Sequence, residues 1–105
     1  MSNAELLGQV RRKLNITWED EDTTARLEEI MESAIPDLHH RLGIVGDFDF
    51  GVAGVENMLF LNYCLYEWNH CLSEFFVNYA EPIAQVRAKN EVAYYKANIE
   101  VSDDV

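Results

Sequence analysis

The stretch from Asn57 to Tyr79, NMLFLNYCLYEWNHCLSEFFVNY, constrains this chain more than any other part of it. It contains no Gly or Pro. Leu61, Cys64, Leu65, Trp68, Cys71, Leu72, Phe75, Phe76 and Tyr79 recur at spacings of three and four, the pattern of one helical face. Met58, Phe60, Tyr63, Tyr66 and Val77 widen that face almost all the way round. A polar line remains at Glu67, His70, Glu74 and Asn78. A helix apolar over so much of its circumference has to be covered on several sides. The expectation is one long central helix in a small all-α bundle of about four helices, with apolar surface available to other subunits.

The length of 105 residues fits a single domain over 1–105 with one core and little margin. A hydrophobic content of 49% argues against wholesale disorder. Asn62, Glu67, Asn69 and His70 interrupt the apolar stretch well short of the roughly 18 residues of a membrane span, so no membrane partner is expected. The N-terminus lacks the apolar segment of a signal peptide, and two cysteines without an evident pairing suit a reducing cytoplasm. A net charge of −11 argues against direct binding to nucleic acid, where Lys and Arg must neutralise phosphates. That charge is uneven. From Leu14 to Val86 there are 14 acidic and 2 basic residues, while Arg11, Arg12, Lys13, Arg87, Lys89 and Lys96 lie towards the ends. This describes either a solvated acidic surface or a protomer with complementary ends that pairs head to tail.

Read from the start, Ala4 to Ile16 forms a short amphipathic helix with Leu6, Leu7, Val10 and Leu14 on one face, weakened by Gly8. An acidic turn follows, with Asp20 or Asp22 as N-cap of a second helix running to about Leu42. Leu27, Ile30, Met31, Ala34, Leu38 and Leu42 form its buried stripe, Pro36 is expected to kink or split it, and Gly43 to stop it. Gly43 to Gly54 holds four of the five glycines and reads as a short strand or irregular loop. Its Phe48 and Phe50 either tuck back onto the core or form a contact surface. Pro82 is expected at the first position of a final surface helix reaching about Asn98. Residues 1–4 and 99–105 read as flexible ends.

Few of these residues suggest chemistry. Glu67 and His70 match the Glu-x-x-His spacing of di-iron bundles, but a second such motif and two further glutamates are missing. An EF-hand loop starting at Asp20 would need Gly and Glu where Ala25 and Met31 stand. Cys64 and Cys71, about 10 Å apart along one helix, are too distant for one zinc ion or a disulfide. His39 and His40 are neighbours that point different ways on a helix. No nucleophile motif or phosphate-cradling loop is present, so no catalytic residue, metal or cofactor is expected.

The order of these parts resembles a family. It comprises a short first helix, the segment TWEDEDTTARLEEIMESAIPDLHHRLG, a Gly-rich loop, a long aromatic helix and a final helix with a tail. Together with an Asp-led apolar phrase from Asp22 through Ala34, this looks like the head–tail connector proteins of tailed phages and prophages, also called head-completion or adaptor proteins. The resemblance covers roughly Glu5 to Asn98. It implies an all-α structural protein without catalytic activity, made in the bacterial host cytoplasm and placed at the virion head–tail junction. It further implies a ring of about a dozen copies under the portal protein, extending the DNA channel and carrying further connector or tail proteins. DNA would pass through without specific binding. By the same analogy, Tyr94, Tyr95, Lys96, Ile99 and Val101 would dock on the portal, while Phe48, Phe50, Arg87 and Lys89 suit the contact between ring subunits. Two other classes compete: a small acidic regulator or DNA mimic that binds a basic enzyme, and a metal-dependent helical bundle enzyme using Glu67 and His70.

Overall fold

The structure, a computed structural model, describes residues 2–103 and the side chains of residues 2–98. Among these, five helices and no strand occur: α1 (Asn3–Lys13), α2 (Glu21–Arg41), α3 (Val55–Trp68), α4 (Leu72–Asn78) and α5 (Ala80–Asp103). Local chemistry sets where the first two begin. The Ser2 hydroxyl accepts the Glu5 N–H at 3.2 Å, and the Asp20 carboxylate accepts the Thr23 N–H at 2.8 Å. That amide bond holds the Asp20 carboxyl below the usual carboxylate range. Pro36 does not kink or split α2, which runs unbroken from Glu21 to Arg41. Pro36 and Glu32, whose carbonyl loses its partner, are both on the exposed side, where water can serve the orphaned group.

The single long central helix is corrected to two. α3 stops at Trp68 and α4 restarts at Leu72. His70 adopts φ 61°, its N–H bonds the Glu67 carbonyl at 3.0 Å, and the Cys71 N–H reaches back to the Tyr66 carbonyl at 2.9 Å. This paired closure, with one left-handed residue just past the helix, also ends α1 at Asn15 (φ 58°) and α2 at Gly43 (φ 64°). Packing explains the break. On one straight helix Phe75 would stand about 18 Å from Tyr63. With α4 turned back, the two rings are 5.5 Å apart and Phe75 is fully buried. Phe75 also meets Tyr66 at 5.8 Å and Tyr79 at 5.0 Å. The apolar stripe that ran round the sequence is therefore covered largely by its own second half.

Arg26 secures that turn. Its guanidinium donates to the Trp68 carbonyl at 2.8 Å, lies 3.2 Å from His70 Nε2 and sits 4.6 Å from the Trp68 ring centroid. A cation at the last carbonyls of α3 also complements the helix dipole. On the other side of the bundle, Tyr63 Oη donates to Asp37 at 2.8 Å. Asp37 in turn accepts from Arg41 at 2.8 Å, and Arg41 lies 3.8 Å from the Phe76 ring centroid. Burial, reinforced by the Asp37 bond, pushes the Tyr63 hydroxyl well above the usual range.

The connection between α2 and α3 carries neither helix nor strand. It is pinned rather than loose. Asn57 Nδ2 donates to the Phe50 carbonyl at 2.7 Å and to Gln9 Oε1 at 2.9 Å, and Gln9 Nε2 donates to the Gly51 carbonyl at 3.0 Å. α5 follows α4 after Tyr79 alone, which puts Pro82 at the third helical position instead of the first. That position still needs no intrahelical donor. The expected helix end at Asn98 is also corrected, since α5 continues to Asp103. Met1, Asp104 and Val105 are outside the described residues.

Replacing Arg26 with Ala is expected to lower unfolding free energy by about 1–3 kcal/mol, from one charge-assisted bond to a helix-terminal carbonyl plus the contact over Trp68. Urea denaturation followed by Trp fluorescence measures it. A loss under about 0.5 kcal/mol, the range of an ordinary surface substitution, would contradict this role.

Candidate functional site

The residues that suggested chemistry are occupied in structural roles. Glu67 is in the last turn of α3 while His70 lies beyond its end in a left-handed conformation facing Arg26, so the pair does not share a helical face. Among the described residues, no group of three or more His, Cys, Asp or Glu side chains is placed to hold a metal ion. Cys64 is fully buried, and burial pushes its thiol up to about 12. Burial, with Glu74 beside it, also raises the Cys71 thiol. His39 bonds the Gly46 carbonyl and so closes the turn after α2.

The surface offers more. α5 crosses the bundle with an inner face formed by Ile83, Val86 and Asn90. Val86 is buried, Ile83 packs against the core, and Asn90 Nδ2 donates to the Leu42 carbonyl at 2.8 Å. Beyond Asn90, every described side chain of α5 is exposed, from Glu91 to Asn98. There an open groove runs between the helix and the loop after α2, lined by Gly43, Val45, Glu91, Tyr94, Tyr95 and Asn98. Phe48 and Ala93 continue it alongside Tyr94. Val45 is 69% exposed, Tyr95 65% and Tyr94 56%, an unusual concentration of large apolar groups on a protomer surface. Gly43 is needed beneath it: its φ is left-handed, and a Cβ there would come within 3.4 Å of Arg87.

The residues expected from sequence fall differently against this surface. Phe48 is 40% exposed and belongs to it. Phe50 does not, which corrects its place in a subunit contact. It is 2% exposed and stacks on Phe60 at 5.7 Å, because the bonds from Asn57 and Gln9 draw its backbone onto the core. Arg87 pairs with Glu91 at 2.7 Å and Lys89 approaches Glu56 at 3.9 Å, so both already meet acids of their own chain. Tyr94, Tyr95 and Lys96 are exposed. The side chains of Ile99 and Val101 are outside the described residues, although their backbone is helical. Two segments assigned separately from the sequence, the phenylalanine loop and the tyrosine pair, are thus brought together at one groove. Val45 and Gly43 were not singled out for it. The available signal was an exposed-type loop with a bare valine immediately after a helix stop.

A scan against protein-family models, a search of curated proteins and a search of solved structures each found no match. No described helix is long and apolar enough to cross a membrane.

Thiol reagents attack the thiolate, so burial and a raised pKa protect Cys64 doubly. At pH 8 the native chain is expected to label rapidly at one position, Cys71, with Cys64 reacting only as fast as the core opens. Mass spectrometry of the labelled peptides reads the two rates. Equal rates would contradict the packing at Cys64.

Proposed function

We propose that this chain is a structural subunit of a tailed-phage or prophage head–tail connector, an adaptor that assembles as a ring under the portal and joins head to tail. The observation that carries the reading is α5. A 24-residue helix leaves the core after Asn90 and presents Val92, Tyr94 and Tyr95 to solvent. An isolated helical segment of that length is marginal in water, so its persistence and its exposed tyrosines suit a part that is completed by other proteins. The elongated protomer, 58 × 29 × 19 Å, fits the same role.

In this reading the distal part of α5, with Tyr94, Tyr95, Lys96, Ile99 and Val101, docks on the portal. Phe48, together with Val45, gives apolar contact at the groove beside it, while Arg87 and Lys89 contribute to the basic end of the protomer. The acidic middle of the chain supplies the complementary face for head-to-tail pairing and repels phosphates at a channel wall, so that DNA slides rather than sticks. Further connector or tail proteins would bind the opposite rim. The site of action is the virion head–tail junction, after synthesis in the host cytoplasm. No catalytic step or cofactor enters.

The test is binding to the portal encoded by the same phage, read by co-sedimentation. The full chain is expected to co-sediment with portal rings. A chain ending at Asn98 should stay folded by circular dichroism but lose most of that binding. A full chain that never co-sediments with its portal would overturn the reading.

A further inference from the structure

α5 has a second apolar face that nothing in its own chain covers. Ala84, Ala88, Val92 and Tyr95 follow one another at spacings of four, four and three, and all are exposed. They lie across the helix from Ile83, Val86 and Asn90, which hold α5 to the bundle. Two small residues followed by two larger ones let another helix approach closely at one end and be gripped at the other. This stripe spans about 16 Å of helix.

A matching surface lies elsewhere on the protomer. Between α1 and α2 is a groove lined by Asn3, Ala4, Leu7, Met31 and Ile35, with Glu28 and Glu32 at its edge. Both glutamates are exposed. The described part of α5 beyond Val86 carries Arg87, Lys89 and Lys96 against Glu91 alone, whereas the exposed side of α2 carries Glu28, Glu29 and Glu32. Pairing α5 with another α5 would set cations against cations, and pairing two grooves would set acids against acids. Only α5 against the groove brings opposite charges together over apolar surface.

We infer that the outer stripe of α5 in one copy seats in the α1–α2 groove of a second copy. The contact is heterologous, because α5 packs on α3 and α4 while the groove belongs to α1 and α2. Each copy therefore offers one helix and one groove, and the contact propagates until it closes. Closure into a ring rests on the connector reading above; the pairwise contact does not. Tyr95 marks the point at which this stripe ends and the portal-facing segment begins.

Charge exchange between the two surfaces tests it. One variant carries Glu28→Lys and Glu32→Lys, the other Lys89→Glu and Lys96→Glu, each checked for native circular dichroism. Sedimentation velocity in low salt, up to about 1 mM protein, reads association. The wild-type chain should self-associate, and each variant alone should do so at least about tenfold more weakly. An equimolar mixture of the two variants should recover association, because the unchanged helix of the first meets the unchanged groove of the second and the two reversed surfaces meet each other. Association unaffected in the single variants, or lost without recovery on mixing, would overturn the contact. So would a wild-type chain that stays monomeric throughout, even if it still binds the portal, which would then be the partner that covers α5. Portal binding judges the connector reading independently.

Discussion

The fold depends on turning one aromatic segment back on itself. Tyr63, Tyr66, Phe75, Phe76 and Tyr79 all come from that segment, and they can form a cluster only if α3 and α4 are separated by a sharp reversal. The reversal places His70, which carries a Cβ, in left-handed backbone at a cost of about 1–2 kcal/mol. Burying Phe75 offsets that cost, since a fully buried aromatic side chain contributes about 1.5–3 kcal/mol. Arg26 adds a bond to the Trp68 carbonyl, so that α2 fixes where α3 ends. Once the cluster has closed, α3 is covered by α1, α2, α4 and α5, and little apolar surface from this segment remains to attract a partner.

Much of the helical framework was legible in the sequence. The helical class, the Asp20 cap, the stop at Gly43 and the buried stripe from Leu27 to Leu38 all follow from spacing and capping chemistry that act within a few residues. The break at His70 was not legible, because it contains neither Gly nor Pro and its cause is tertiary. Asn69-His70 is a weak local signal, as both residue types tolerate left-handed backbone better than most. Pro36 misled in the opposite direction: an exposed proline can be accommodated in a long helix when the carbonyl it orphans faces water. Phe48 and Phe50 looked equivalent, two aromatics between acids, yet the bonds from Gln9 and Asn57 bury only one of them. Those bonds span more than forty residues from Gln9, beyond the reach of any local pattern.

What the aromatic cluster leaves outside the core is informative about function. The central segment has spent its apolar residues internally, whereas α5 has two apolar faces and uses only one of them. Surface that is apolar, helical and flanked by a groove is suited to protein partners rather than to small-molecule chemistry. The excess of carboxylates keeps the free protomer soluble and makes a basic surface, on another copy or another protein, the favoured neighbour. Assembly is the use of this fold that draws on both features at once.

Native mass spectrometry of the purified chain over a concentration series, alone and with the portal of the same phage, tests that claim most directly. The account predicts a closed species of about twelve subunits, free or seated on the portal. A monomer or a stable dimer at every concentration, whether or not portal is present, would contradict it and leave an acidic regulator of a basic enzyme as the better description.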